Sequence, residues 1–483
     1  MPYTGGYRRG GGRSSQRGGG RYNSGGSGGR GSSGRGGGGR GGGSSHMNEF
    51  NLGHPTVKLC SHFMKGSCRN GDNCTHGHVI QVISQVQNSN KDTSSTSNNT
   101  TTTTTTGSNG RYNNNNYQQN RDQFFPTTDI ALWMEKTDSP LKIFTSSHDG
   151  HWRLYNTANG QFQKEVEHNM NGKVHTILVM HNFLFCGFEA VSTKIPGQTV
   201  GMIFAWNLSN PGDAPMELHM GTSQLAPYAH SKGVTTLITH DDVCFSGGKD
   251  HIIRIWKFDA TMNQAKGGFK LLKECCGHVG EVTGLVFLNG MLWSSSTDGT
   301  IRLWDSNSNW ECKHLIAGAN PSATQGAGGQ LSAETQGVGH TNAVTSLIPF
   351  QSEQGGATFI LSSSMDGDIK VWDSANGNCL STTSHGDGVV TMALSKDLKG
   401  HPILLCGLMT GAIVIRGLIQ TAKTAPMAFL CSVKLHWEGV GHDGAIYKII
   451  AGPPNTNYAN TFYTAGDDGK MIIWQLIGDL KMS

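Results

Sequence analysis

Four times between residues 229 and 475 the chain repeats one spacing: a hydroxyl residue, an aspartate four positions later, and a tryptophan six positions beyond that. The copies are Ser246/Asp250/Trp256, Ser294/Asp298/Trp304, Ser362/Asp366/Trp372 and Thr464/Asp468/Trp474, led respectively by His230, His278, His340 and His442. Between these residues lie short β-branched runs cut by Gly/Asp turns, as in SSSTDGTIRLWD and SSSMDGDIKVWD, which is a strand pattern. A unit of this length cannot bury its apolar face alone, so neighbouring copies must stack.

Three weaker copies extend the series. Thr145, Asp149 and Tyr155 keep the spacing with Tyr in place of Trp, and Trp206 ends a copy whose turn is interrupted by STKIPGQ. His385 opens a copy with Cys406, Thr410 and Arg416 at the remaining places. Strand ends at 155, 206, 256, 304, 372, 416 and 474 give seven units, and seven four-stranded units can close into a ring without a long exposed edge. Closure calls for an outer strand from upstream, which the reading assigns to Gln118–Phe124. The Gly/Ala-rich stretch from Ala317 to Gly339 reads as an insertion between units.

This repeat text resembles the WD-repeat family. The resemblance implies an all-β fold, a seven-bladed WD-repeat β-propeller over 124–480, in which each His bonds the Asp carboxylate while the hydroxyl links His to the Trp indole. The residues before the turn aspartate, His148, Lys249, Thr297, Met365 and Asp467, are then expected at the narrow mouth of the ring. A Ser, His and Asp together also suggest a nucleophile, but catalysis needs one activated hydroxyl beside an oxyanion site, whereas this set recurs four times at fixed spacing. It is read as structural, and no catalytic residue and no enzyme are expected.

A second motif precedes the repeats. LCSHFMKGSCRNGDNCTHGH sets Cys60, Cys68, Cys74 and His78 at C-x7-C-x5-C-x3-H. Three thiolates and an imidazole form a closed tetrahedral Zn²⁺ shell, so one structural zinc is expected, with metal binding supplying the folding energy of a segment too short for a core. His76, two residues before His78, is the competing ligand. The spacing resembles the CCCH zinc-finger family, placing a finger at 55–80. That resemblance implies contact with single-stranded RNA: Phe63 at one stacking position, His76 at the second, and Lys58, Lys65 and Arg69 against phosphates.

Charge is unevenly spread. The first fifty residues hold eight Arg, one Glu and no Lys, so a tail of about +7 leads a mildly acidic body although the whole chain is only +4. Residues 1–46, an Arg/Gly-rich (RGG-like) tail, have too little apolar surface to fold and are expected to be disordered; guanidinium planes on a pliant glycine chain suit RNA. Residues 81–123 are Ser/Thr/Asn/Gln-rich and read as a flexible linker between finger and propeller. With no apolar stretch long enough to span a bilayer and no signal-like start, a soluble chain without membrane contact is expected, intracellular, in nucleus and/or cytoplasm. Of eleven cysteines, eight lie outside the finger motif within apparent strands, and no structural disulfide is expected.

Finger and repeats together resemble the CCCH zinc-finger and WD-repeat proteins (zfwd-like subfamily). The function expected is a non-catalytic, zinc-dependent RNA-binding adaptor, with protein partners held on the propeller face. Two alternatives are a DNA-binding regulator, resting on the same finger, and a ubiquitin-ligase substrate receptor. The last is disfavoured because the strand ends read Trp304-Asp-Ser-Asn and Trp372-Asp-Ser-Ala, without the Trp-Asp-x-Arg that such receptors usually show.

Overall fold

The computed structural model describes residues 80–88, 124–136, 139–180, 182–220, 228–262, 267–318, 337–351, 357–419, 428–435 and 441–478, the segment 428–435 by its backbone alone. The Arg/Gly tail and the whole of the finger motif lie outside the described residues.

Among the described residues, twenty-eight strands form seven four-stranded antiparallel sheets. Six are contiguous in sequence, spanning 127–169, 172–218, 234–276, 282–316, 344–384 and 389–435. Their innermost strands contact one another in order, and the first also meets that of the seventh sheet, so the ring is closed. Each inner strand carries a β-bulge at the same register, and the extra residues are Thr128, His175, Thr235, Thr283, Thr345, Val390 and Tyr447. A bulge re-aims its side chain. Here threonine turns its hydroxyl onto the next blade: Thr128 donates to Val174 O at 2.9 Å, Thr283 to Val344 O at 2.6 Å, Thr345 to Val389 O at 2.6 Å, and Thr235 to Val282 O. Blade-to-blade contact is thus partly a polar seam, laid beside the apolar clusters that each pair of blades shares.

The seventh blade is assembled from both ends of the described chain. Strands β26 (Ile446–Ala451), β27 (Thr461–Gly466) and β28 (Lys470–Leu476) are joined by β1 (Ile80–Gln87) as the outer strand, with Ile80 opposite Leu476 and Gln87 opposite Lys470. This corrects the sequence reading twice. The closing strand is Ile80–Gln87 and not Gln118–Phe124, of which Phe124 is coil and 118–123 lie outside the described residues; and the proposed linker 81–123 begins inside the ring. The physical reason lies in IQVISQVQ: Ile80, Val82 and Val86 alternate with polar residues, a half-buried strand pattern masked by glutamines that match the polar tract after it. Ile80 is fully buried against Ile472, Trp474 and Leu476, with Val82 packed beside it.

Both ends of the Ser/Thr/Asn/Gln tract are fixed to the same turn. Asn88 N and the Thr127 hydroxyl both donate to Gly469 O, at 3.1 Å each. Gly469 sits at φ +71°, and a Cβ there would lie 2.7 Å from Phe125 O, so glycine is what lets the chain approach this closely. The insertion after β17 (Glu311–Ile316) is closed in the same manner, with Gly337 N and Gly339 N donating to Ala317 O at 3.0 and 3.1 Å; its residues 319–336 lie outside the described set.

Candidate functional site

The structure brings all four sequence-predicted polar sets together. The Trp256 indole N–H donates to Ser246 Oγ at 2.9 Å, Ser246 lies 2.8 Å from His230 Nε2, and His230 Nδ1 lies 2.9 Å from Asp250 Oδ1. The corresponding distances for Trp304/Ser294/His278/Asp298 are 2.9, 2.8 and 3.0 Å. For Trp372/Ser362/His340/Asp366 they are 2.8, 2.7 and 3.0 Å, and for Trp474/Thr464/His442/Asp468 they are 2.8, 2.7 and 2.9 Å. An indole can only donate, so the hydroxyl must give its own proton to Nε2, which leaves Nδ1–H facing the carboxylate. This arrangement gives the indole, hydroxyl, imidazole and carboxylate of each set a partner, and in the third blade the Arg254 guanidinium joins them, 2.7 Å from His230 Nδ1 and 2.8 Å from Asp250.

The acid–base properties agree. Burial lowers His230 and His278 below the ordinary histidine value, more than their aspartates raise them. Burial alone would raise the four carboxyls, but hydrogen bonds from the histidines and neighbouring donors outweigh it, and Asp468 falls to about 2. No hydroxyl here is a free nucleophile: Ser246, Ser294, Ser362 and Thr464 are fully buried and doubly engaged.

The weaker copies solve the same turn differently. In the first blade Arg153 replaces the histidine as partner of Asp149, at 2.6 Å, and also binds Glu167 at 2.5 Å. In the second, Cys186 stands at the hydroxyl place and Trp206 packs edge-on to Trp152, centroids 5.6 Å apart. In the sixth, Arg416 is buried where the first blade places Tyr155 and the other five place tryptophan.

The inner strands of all seven blades line a central cavity of about 380 Å³. At its mouth the bulge position in the second blade is His175 instead of threonine. Its Nε2 lies 3.3 Å from Glu189 Oε2 and its Nδ1 lies 3.0 Å from His148 Nε2. Because carboxylate must accept, His175 donates through Nε2 and accepts from His148 through Nδ1, which fixes both tautomers. Lys249 completes the chain at 2.8 Å from Glu189, so His148, His175, Glu189 and Lys249 link three successive blades. Burial foremost, then the charges of nearby lysines, lowers His148 and His175 to about 4. Across the mouth the Tyr447 hydroxyl donates to Asp467 at 3.0 Å. Thr297 Oγ1 accepts from Glu281 N at 2.9 Å, and Met365 lies against Gly388. Of the five residues expected at the mouth, His148 and Lys249 thus belong to one network; its partners His175 and Glu189 were missed because no motif marks them. A second link lies deeper, where Asp129 accepts from Thr176 Oγ1 and Ile177 N at 3.0 Å each and pairs with Lys448 at 2.9 Å, tying blades seven, one and two.

Cys60, Cys68, Cys74 and His78, with Lys58, Phe63, Lys65, Arg69 and His76, lie outside the described residues. Among the described residues no group of three or more His, Cys, Asp or Glu is placed to hold a metal, and no helix is long and apolar enough to cross a membrane. The finger motif's three-thiolate, one-imidazole donor set fits Zn²⁺.

The comparisons with known proteins agree with this division. Residues 58–78 match the CCCH-type zinc finger, and residues 222–257, 269–305 and 333–373 match the WD domain, G-beta repeat. The chain is thus a CCCH-type zinc finger joined to a WD-repeat propeller, and the finger implies zinc binding. Among relatives it is 26% identical over 166 residues to "Zinc finger CCCH domain-containing protein 62" of Arabidopsis thaliana, covering 34% of each chain. It is 27% identical over 215 residues to "Gem-associated protein 5" of Mus musculus, covering 42% of this chain and 13% of that one. It is 23% identical over 297 residues to "Ribosome biogenesis protein YTM1" of Phaeosphaeria nodorum, covering 57% and 56%. The chain therefore spans about a third of the length of the first relative and less of the second. Among solved structures, the WD40 β-propeller domain of Doa1 aligns with a TM-score of 0.47 at 18% identity, over 73% of this chain and 93% of that one.

Proposed function

We propose that the protein is a non-catalytic RNA-binding adaptor whose finger, holding one structural zinc, engages single-stranded RNA with help from the Arg/Gly tail, while the propeller holds a protein partner. The observation that carries the reading is the continuity of finger and ring: His78, the last of the four zinc donors, is followed by a single residue before Ile80 opens the closing strand. The finger is covalently continuous with the scaffold instead of sitting at the far end of a long linker. In this reading Phe63 and His76 supply stacking faces, Lys58, Lys65 and Arg69 meet phosphates, and the eight tail arginines add a salt-dependent share. Zinc holds those side chains in place and takes no chemical step. The polar sets of the propeller are occupied in bonding the strands and turn of their own blades, which supports a scaffold over an enzyme. One relative is named for ribosome biogenesis and another for its CCCH finger.

The test is fluorescence anisotropy of a labelled single-stranded RNA with the full chain, Cys60→Ser, a chain lacking residues 1–46, and the two combined. Each single change weakens binding and the combination removes it, with a steep salt dependence in the intact chain. Unchanged RNA affinity in the combined variant would sink the proposal, and tighter binding to duplex DNA at matched salt would favour a DNA-binding regulator.

A further inference from the structure

At the junction of the second and third blades lies a cavity of about 370 Å³ whose walls include Phe183, Phe185, Phe258 and Phe269. The rings contact one another around it: Phe258 and Phe269 are 5.3 Å apart by centroid, Phe185 and Phe269 5.6 Å, and Phe183 and Phe258 6.4 Å. Asp241 and Asp242 are the ionisable residues in its lining. Their side chains are 85% and 54% exposed, and Asp242 has a loose pair with Lys257 at 3.6 Å.

The neighbouring junction shows why this one is open. Between the third and fourth blades Phe287 fills the equivalent space, stacked on Phe245 at 5.4 Å, with Trp310 edge-on to Phe245 at 5.5 Å. Phe287 pairs with Leu292 on the next strand, and the residue at the same register in the third blade, paired with Cys244, is Thr239. The first, second and sixth blades put Leu132, Val179 and Leu394 at that register, each packed against a core cluster, and the fifth and seventh put Pro349 and Ala451 there, with no phenylalanine-walled gap beside them among the described residues. A threonine there is too short to plug the gap, and its hydroxyl is buried with no hydrogen-bond partner. The molecule therefore leaves one aromatic-walled junction unfilled at a position where its own repeats show how to fill it.

We propose that this cavity is a docking site for a protein segment that inserts one bulky apolar side chain between blades two and three and carries Lys or Arg beside it to meet Asp241 and Asp242. An apolar anchor in a preformed pocket is where binding energy concentrates, and the carboxylates at the rim select the charge of the flanking residues. The inference deepens the adaptor reading on its protein side, on which it rests, and is independent of RNA binding.

The experiment uses the full chain and three labelled peptides: Arg-Gly-Trp-Gly-Arg, the same with Ala for Trp, and the same with Glu for both Arg. The Trp peptide with basic flanks binds, and each of the others binds at least about tenfold more weakly. Thr239→Phe, copying Phe287, fills the cavity, leaves the melting temperature unchanged or higher, and removes peptide binding; Thr239→Leu gives a partial loss. Replacing Asp241 and Asp242 together by Asn weakens binding and flattens its salt dependence. RNA anisotropy on the same samples stays constant, so failure here is separable from failure of the RNA reading. Equal binding of the Ala peptide, undiminished binding by a folded Thr239→Phe variant, or no binding by the wild-type chain would overturn the proposal.

Discussion

The side-chain amide of Asn88 donates to the Thr127 hydroxyl at 2.9 Å, joining two residues that flank a long polar tract. The tract leaves the ring at the end of its closing strand and returns at the start of its first blade. It is a closed excursion, and it spans no gap between finger and propeller.

Excising most of residues 91–121 and bridging the ends with a short Gly/Ser linker should leave the fold and any RNA affinity intact. Loop-closure entropy grows only logarithmically, so a fourfold shortening adds about 1 kcal/mol of stability. Urea midpoints measure the gain; a loss of RNA binding would show that the tract contributes a function of its own.

Ile80→Asp should be among the most damaging single changes in the ring. It sets a charge into a fully buried site beside Trp474 and detaches the outer strand of the last blade, at a cost of about 4 kcal/mol or more. Thermal unfolding should become broad or shift down strongly, whereas Gln85→Asp, at an exposed place on the same strand, should be nearly neutral.

Ser294→Ala removes the shared partner of the Trp304 indole and the His278 imidazole and leaves both buried without it. The expected loss is roughly 2–4 kcal/mol in chemical denaturation. Zinc content, read by metal analysis of the folded protein, should not change.

The His148–His175 pair makes stability depend on pH. Both folded values lie near 4 against about 6.5 when unfolded, so the native ring binds fewer protons than the unfolded chain between those limits. The stabilisation is complete above pH 6.5 and is lost as pH falls towards 4. Replacing both histidines with Gln should flatten that slope by roughly 1–3 kcal/mol relative to the wild type; an unchanged slope would place the dependence on other buried histidines such as His385.

The strongly spaced residues made most of the ring legible. Where His, hydroxyl, Asp and Trp all occur, the strand ends follow from spacing and the hydrogen-bond partners from the resemblance to WD repeats, whereas the count of seven blades also drew on the three incomplete copies. The closing strand was missed because pairing between Ile80 and Leu476 leaves no local mark, and a glutamine-rich strand differs little in composition from the polar tract beyond it. The His148–His175–Glu189–Lys249 chain was half visible: the turn positions could be named, but Glu189 reaches Lys249 only through the stacking of blades. The phenylalanine cavity depends on what one threonine fails to fill, which appears only when equivalent positions are superposed in space.

The pairing of β1 with β28 also has a consequence during synthesis. The ribosome releases Ile80–Gln87 early, and its partner Lys470–Leu476 emerges only after the other six blades have been made. Throughout that interval a strand with apolar side chains and unsatisfied amides has no place to go. Ring closure consequently cannot precede the release of Lys470–Leu476, and a chain interrupted before residue 470 would expose both that strand and the open edge of its final sheet to neighbouring chains.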